Sequence, residues 1–285
     1  MAVARENRIE NSARGRTLPE YREPPVNEVV LGVQTEPLER LVAPFLGLFW
    51  QEIRAIYPKV EVQGALEPVV ELFGLPTLVP TAGFRVMDKP ETPRCWFITK
   101  DDTELVQLQQ DRLIHNWRKR RSEDVYPRYP KLRETFAREL GLFLDFIKRE
   151  ELGPFVPNQC EVTYINHLAY RSPEEQGQIE QLFRVWNAKE AAFLPPAENV
   201  QFDMSFVMKA EDGKEPAGRL HVAARPAVLK KDNTPIVSFN LTARGRPESA
   251  DVDGVLRFLD VGREWIVRAF DELTTSSMHT VWGKV

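Results

Sequence analysis

The most basic stretch of the chain lies between residues 112 and 133 and has the composition of a surface that binds polyanions. Eight cations stand against two carboxylates there, an excess of six positive charges, although the whole chain carries a net charge of −4. Three aromatic residues are interleaved with the cations, as in surfaces that track phosphates and stack bases. A solvated strand end beside a helix start is the alternative interpretation. The candidate binding residues on this stretch are Arg112, Asn116, Trp117, Arg118, Lys119, Arg120 and Arg121.

A second set of candidate residues alternates with apolar residues in three predicted strands between residues 202 and 244. Neighbouring side chains in a strand point to opposite faces of the sheet, so the polar positions share one face. If the apolar positions pack on helices, this polar face is available to a partner. An antiparallel sheet with one face in water has the same pattern. The candidate binding residues on this face are Arg219, His221, Asn240 and Arg244, with Asp203, Arg225 and Thr242 beside them.

The third set of candidate residues consists of two His-Asn pairs whose chemistry would be proton transfer. His115 precedes Asn116 in one predicted strand, and Asn166 precedes His167 in another. Adjacent strand residues face opposite ways, so neither pair can hold one substrate atom together. A histidine that moves protons also needs a carboxylate to orient it. The carboxylates that folding could bring near are Glu161 and Asp203. An enzyme with a site near His167 therefore ranks behind a structural role for these polar residues.

Specific catalytic and metal-binding motifs are absent from the sequence. It contains no glycine-rich phosphate loop, no His-Glu-x-x-His helix, no Gly-x-Ser-x-Gly elbow and no paired cysteine motif. Two cysteines cannot build a disulfide framework or a cysteine zinc site, and four histidines leave little material for a multi-histidine metal site. We therefore expect no cofactor and no metal, and favour binding over catalysis, although a catalytic pair assembled in space would leave no such trace.

The elements that must position these residues follow from periodicity and turn residues. A meander of three short strands is predicted where β-branched and aromatic residues alternate with polar turns, and two long amphipathic helices are predicted from their apolar stripes. The predicted strands are 26–34, 84–88, 95–99, 105–109, 112–117, 159–170 and three between 202 and 244. The predicted helices are one after Pro44, 130–148, 173–187 and 251–273, the last with Asp251 as N-cap. Residues 59–80 lack a clear pattern and are expected to form a long connection, with a short helix or edge strand near 69–73.

The order strand, helix, antiparallel strands, long helix occurs twice. It predicts an α+β fold made of two pseudo-repeated units of antiparallel sheet, with helices packed on one sheet face. The expected organisation is a flexible N-terminal arm at 1–25, a first unit at 26–153 and a second at 154–285, either as two domains or as one continuous domain. This element order resembles the saddle-shaped fold of TATA-box-binding proteins, a resemblance that implies no function.

Composition sets broader limits. With 42% hydrophobic and 28% charged residues, the chain has the composition of an ordinary folded protein. No apolar run approaches the about 20 residues of a membrane span, and the N-terminus lacks a signal-peptide pattern. We therefore expect a cytoplasmic protein without membrane association. The oligomeric state stays open.

Four phrases carry a family resemblance: PPVNEVVLGVQTEPL, ELVQLQQDRLIHNWRKR, EVTYINHLAY and FDELTTSSMHTVWGKV. They resemble a sporadically distributed prokaryotic family for which no activity is established, and the resemblance spans nearly the whole chain after the N-terminal arm. It implies no catalytic residue. The patchy occurrence of the family implies an accessory gene, as among defence and toxin-antitoxin components. The leading hypothesis is a non-enzymatic binding protein for a protein or polyanionic partner, followed by a nucleic-acid-binding module at 112–133 and then by an enzyme near His167.

Overall fold

The computed structural model describes residues 17–74, 92–172, 175, 177–185, 193, 197, 199–210 and 215–285. These residues form a mixed α+β structure with one antiparallel sheet of nine strands, in the order β2-β3-β4-β5-β1-β6-β9-β8-β7. The strands are β1 (Val26–Thr35), β2 (Lys59–Gln63), β3 (Arg94–Ile98), β4 (Glu104–Gln109), β5 (Arg112–Arg118), β6 (Pro157–Ala169), β7 (Phe202–Lys209), β8 (Pro216–Val228) and β9 (Pro235–Gly245). The helices are α1 (Ala43–Ile53), α2 (Tyr129–Arg149), α3 (Val252–Leu273) and α4 (Ser276–Val281).

The chain divides into two compact units. The larger unit contains Pro25–Ala169 and Asn199–Ile266, and the smaller contains Met1–Pro24, Tyr170–Glu198 and Val267–Val285. The sheet belongs to the larger unit. None of the described helices has the length and apolar character needed to cross a membrane.

Strands β1 and β6 form the centre of the sheet, where Val30 lies opposite Thr163. Val29, Leu31 and Val33 of β1 are buried on one face, because their β-branched or large apolar side chains alternate with more polar positions. This alternation gives the sheet an apolar face beneath helices and a polar face on its other side. The expectation of helices on one sheet face is confirmed for α2 and α3.

Helix α2 lies on the apolar face of the first strands. It begins at Tyr129 with Pro130 in its first turn, and its apolar stripe is buried down to Ile147. Phe143 of this stripe makes an edge-to-face contact with Phe49 of α1, with ring centroids 5.6 Å apart. Helices α1 and α2 therefore share one core above the sheet.

Helix α3 lies on β6 and β9. The predicted N-cap is confirmed, since the Asp251 carboxylate accepts a hydrogen bond from the Gly254 N–H at 2.7 Å. Gly262 lets the helix approach closely: a Cβ built on it would lie 3.1 Å from both Ala243 and Val162. Through this close approach, α3 covers the apolar face of the sheet at β6 and β9.

The smaller unit is organised around Tyr21. Its ring makes edge contacts with Phe270, His279 and Trp282, and its hydroxyl donates to Asp271 at 2.6 Å. Residues 17–24, expected as part of a flexible arm, are thus packed through a buried aromatic side chain. Residues 1–16 lie outside the described residues.

Several sequence expectations about local structure need correction. The described part of the predicted helix 173–187 contains no α-helix: it includes the 3-10 turn Ile179–Gln181, and Phe183 then forms a bridge with Thr274. Strand β2 was not predicted, and it pairs with β3. Residues 69–73 form neither a helix nor a strand. The predicted strand 84–88 lies outside the described residues.

Two helical glycines give a matched test of this packing. Gly262→Ala should lower the free energy of unfolding by about 1–2 kcal/mol, because the new methyl group presses on stiff sheet residues. Gly141→Ala in α2, where nothing lies within 4 Å of the new Cβ, should raise it by about 0.5–1 kcal/mol through helix propensity. Urea unfolding of both variants measures the difference. Stabilisation of both variants by the same amount would contradict the close approach of α3.

Candidate functional site: the polar face of the sheet

The cross-strand register places the polar candidates of β8 and β9 on one face, as the alternation predicted. Arg219 lies opposite Arg244, and His221 lies opposite Thr242. Asn240 is two residues before Thr242 on the same face of β9. Strand β6 extends this polar face, because Glu161 lies opposite Arg244.

Residues 64–74, which we name the strap, lie across part of this polar face. The strap follows β2 and has no helix or strand of its own. At one end it contacts side chains from β4, β5 and β1, and at the other end it contacts side chains from β9 and β8. The expectation that the polar face is open to water is therefore wrong at the strap: the chain itself covers it there.

The first part of the strap is held through its main chain. The side-chain amide of Gln109 accepts a hydrogen bond from Leu66 N–H at 2.8 Å and donates one to Leu66 C=O at 2.9 Å. The side-chain oxygen of Gln34 accepts from Val69 N–H at 3.0 Å. These amides replace the strand partner that an extended segment would otherwise need.

Two arginines complete the main-chain contacts. Arg112 donates to the C=O of Glu67 at 3.0 Å, and Arg219 donates to the C=O of Leu72 at 2.9 Å. Main-chain contacts of this kind do not depend on which side chains the bound segment carries.

Glu71 is a strap side chain that side chains of the sheet surround. With Arg219, His221 and Arg244 it forms what we name the Glu71 cluster. The Glu71 carboxylate is 6% exposed and forms an ion pair with Arg219. It lies 2.6 Å from His221 Nε2 and 3.5 Å from Arg244 Nη1. Burial alone would raise the pKa of Glu71, but the His221 hydrogen bond and the charges of His221 and the arginines lower it below its usual value.

Arg244 is also held from the other side. Its guanidinium forms an ion pair with Glu161 at 2.6 Å, and the Glu161 carboxylate accepts from the Thr163 hydroxyl at 3.1 Å. Arg244 therefore has a partner on the sheet besides Glu71.

The strap contributes little apolar burial. Val69 and Val70 are each 41% exposed and Leu72 is 58% exposed. Burial of apolar surface is the usual source of binding energy, and here much of that surface stays in water. The strap is therefore held mainly by hydrogen bonds and ion pairs.

Gln159 is an unpaired polar residue beside the strap. It lies opposite Gln34 on β6 and is 3% exposed. Neither end of its side-chain amide has a hydrogen-bond partner in the described part of the chain. Such a group is rare in folded proteins, because burying an unsatisfied amide costs about 1–3 kcal/mol.

The basic stretch does not form a stacking surface. Trp117 is 3% exposed and faces the helices, where its ring contacts Tyr126. Arg112 is buried and forms an ion pair with Asp111. Asn116 is buried too, between two partners. These are Gln107, which donates to it at 2.7 Å, and Glu28, which accepts from it at 2.6 Å.

Within the run 118–121 two cations are already engaged. Arg118 donates to the C=O of Asp102 at 2.9 Å, and Arg121 forms an ion pair with Asp124 at 3.2 Å. Lys119 and Arg120 have exposed side chains, and no ion pair involves either side chain in the described part of the structure. Lys119 and Arg120 are therefore the two residues of the run 118–121 that remain candidates for binding phosphate.

The histidines of the proton-transfer hypothesis are not assembled into a site. His115 is fully buried against α2, with Nδ1 3.0 Å from the Glu139 carboxylate. His167 is partly exposed, and burial lowers its pKa. No described carboxylate contacts His167, because its two candidate orienters pair with arginines instead. These pairs are Glu161 with Arg244 and Asp203 with Arg225.

Four residues that hold the strap were sequence candidates, namely Arg112, Arg219, His221 and Arg244. Glu71, Gln34 and Gln109 were not. Glu71 does not belong to any alternating or helical sequence pattern. Its contacts are with residues about 150 positions away along the chain. Gln107 and Gln109 carried a usable signal, because they alternate with apolar residues in a buried strand. A buried side-chain amide requires a partner.

Comparison with protein-family models, with curated proteins and with solved structures gave no match. Function is therefore inferred from geometry. Among the described residues, no group of three or more histidine, cysteine, aspartate or glutamate side chains is arranged to hold a metal ion.

The buried His115 predicts a pH dependence. Burial lowers its pKa, but the charge and hydrogen bond of Glu139 raise it more, so the pKa lies above its usual value. Its stabilising contribution is complete below the unfolded pKa of about 6.5 and is lost as pH rises through the folded pKa. The free energy of unfolding, measured in urea, should therefore fall as pH is raised from 6. Glu139→Gln should flatten this fall, and an unchanged slope would contradict the pairing.

Proposed function

We propose that this protein is a non-enzymatic binding protein whose polar sheet face holds an extended segment of a partner protein. The observation that carries the proposal is the set of side-chain contacts to the main chain of residues 66–72. A sheet face that binds its own extended segment in this way has the donors and acceptors that another extended segment requires.

The polar face continues beyond the strap, which gives a partner room to bind. Ser205, Asn240 and Thr242 are exposed or half-buried polar residues on this face. Asp203 and Arg225 form an ion pair near the sheet edge. Large areas of mixed polar groups are typical of transient protein interfaces, where hydrogen bonds and a few buried anchors determine the partner.

One arrangement on this face resembles catalytic machinery. Ser205 Oγ lies 3.3 Å from His221 Nδ1, and His221 Nε2 lies 2.6 Å from Glu71, which is the order of nucleophile, base and acid. However, Glu71 also pairs with Arg219 and Arg244, so it is not dedicated to orienting His221. The cluster is better suited to holding a carboxylate. Covalent labelling of Ser205 by a fluorophosphonate probe would contradict a non-enzymatic role.

We also propose that the two halves of the sheet arose by duplication of one structural unit. The strand order supports it: β5, β4 and β3 follow outward from β1, and β9, β8 and β7 follow outward from β6. A long helix comes after β5 in the first half and after β9 in the second. Duplication of this kind would place equivalent polar faces side by side.

The proposed function predicts selection of peptides from a random twelve-residue library displayed on phage. Wild-type protein should enrich defined sequences. Asn240→Trp, which puts bulk on the polar face, should weaken their binding about tenfold or more, equivalent to about 1.4 kcal/mol. Fluorescence anisotropy with the enriched peptides, synthesised and labelled, measures this loss.

Val261→Trp is the matched control, because Val261 is an exposed position on α3. It should leave peptide affinity unchanged. Failure to enrich any sequence, or equal loss in both variants, would contradict binding on the polar face.

Nucleic-acid binding at 112–133 is the competing function, and salt dependence separates the two. If Lys119 and Arg120 track phosphates, affinity for a 30-base single-stranded DNA should fall steeply as salt rises, and Lys119→Gln with Arg120→Gln should flatten that slope. Since Trp117 and Tyr129 of this stretch are buried, we expect weak binding and a shallow slope. Tight binding with a steep slope that the double variant removes would favour the nucleic-acid function.

A further inference from the structure

We infer that Arg219, His221 and Arg244 form a subsite for a carboxylate side chain of a partner peptide, and that Glu71 of the strap occupies this subsite until a partner replaces it. The inference rests on the proposed function and specifies its ligand: an extended peptide with one acidic anchor residue. The strap is then an internal competitor for the partner.

The subsite is built for an anion. Three cationic or hydrogen-bonding side chains from two neighbouring strands converge on one carboxylate, which is nearly inaccessible to water. Charge-assisted hydrogen bonds from guanidinium groups to a carboxylate are among the strongest in proteins. A neutral side chain in the same place would leave Arg219 without a carboxylate partner and Arg244 with Glu161 alone, so the subsite discriminates in favour of acidic residues.

Two of the three side chains of the subsite, Arg244 and His221, have neighbours on the sheet, whereas Arg219 contacts Glu71 and Leu72 of the strap. Arg244 is held by Glu161 of β6, and His221 lies beside Ser205 of β7. All four residues belong to strands of the sheet, which fixes their main chains. When Glu71 leaves, Arg244 and His221 therefore keep a neighbour on the sheet, and the subsite is ready for another carboxylate.

The strap is suited to exchange. Its apolar side chains Val69 and Val70 are each 41% exposed and Leu72 is 58% exposed, so releasing these three side chains costs less apolar burial than releasing core residues would. Its main-chain contacts through Gln34, Gln109 and the two arginines would be made equally by any extended chain. The strap competes because it is tethered, which gives it an effective concentration of about 1 mM or more.

The unpaired amide of Gln159 is a second observation that indicates a ligand. Gln34, directly opposite, binds the strap main chain at Val69. Gln159 is the same residue type at the neighbouring position of β6, and it has no partner in the described part of the chain. A peptide that passes closer to β6 than the strap would satisfy both ends of this amide and would gain energy that the strap does not.

The test uses a fluorescein-labelled peptide with the sequence of residues 64–74 as the probe. Full-length Glu71→Gln protein should bind it at least about tenfold tighter than wild type, because the internal competitor has lost its anchor. A probe with Gln in place of its second glutamate, the one equivalent to Glu71, should bind Glu71→Gln protein at least about tenfold weaker than the parent probe. Fluorescence anisotropy measures both affinities.

Glu61→Gln is the matched control, since Glu61 is an exposed glutamate on β2, ten residues before Glu71. It should bind the probe as wild type does. Equal binding by Glu71→Gln and wild-type protein, or equal binding of the two probes, would overturn the inference.

A second route needs no variant and applies if thermal melting shows that Glu71→Gln is unfolded. Wild-type protein titrated with probe at about millimolar concentration should bind the acidic probe and not the Gln probe. Equal titration curves would overturn the inference by this route too.

If library peptides bind the polar face without an acidic residue, the carboxylate subsite is wrong while the proposed function stands. If the library yields nothing, the proposed function itself fails.

Discussion

An extended segment that crosses the face of a sheet has no neighbouring strand to pair with, and this constraint explains most of the polar face. Main-chain N–H and C=O groups that leave water must find partners. In this protein the partners are side chains: the amides of Gln34 and Gln109 and the guanidinium groups of Arg112 and Arg219. The sheet therefore buries long polar side chains, among them Gln34, Gln109 and Arg112, on a face that a simple two-layer fold would leave in water.

The same constraint connects the fold to the proposed function. Helices α2 and α3 bury the apolar face, which leaves the polar face to hold other segments. The main-chain contacts to the strap do not depend on which side chains the bound segment carries. The Glu71 cluster adds to them a contact that requires a charged side chain. Main-chain contacts of low specificity combined with one specific anchor are a common solution for peptide recognition. Function here would come from competition between a tethered segment and a partner for the same contacts.

Alternation and helical periodicity made much of this fold predictable. The β7 to β9 pattern gave the correct face for Arg219, His221 and Arg244, because a period of two leaves no other arrangement once one face is buried. Composition was less informative in the basic stretch. Trp117 and Arg118 are adjacent in sequence, but adjacent residues of a strand lie on opposite faces of the sheet. The cations and aromatic residues of this stretch therefore do not form one surface.

The strap could not be predicted, for physical reasons that are specific to it. Residues 64–74 carry no period, since their conformation is imposed by the sheet rather than by their own propensities. The role of Glu71 depends on residues about 150 positions away, and no local pattern records such a contact. Gln109 could have been noticed as a buried amide in need of a partner, but its partner could not have been named.

Amide hydrogen exchange of the strap, followed by nuclear magnetic resonance, tests the central claim most directly. If side chains of the sheet hold its main chain, the N–H groups of Leu66 and Val69 should exchange about a hundredfold slower than in an unstructured peptide. Gln34→Ala should remove the protection of Val69 while leaving that of Leu66, whose acceptor is Gln109. Exchange of both amides at the unstructured rate in the wild-type protein would contradict the account.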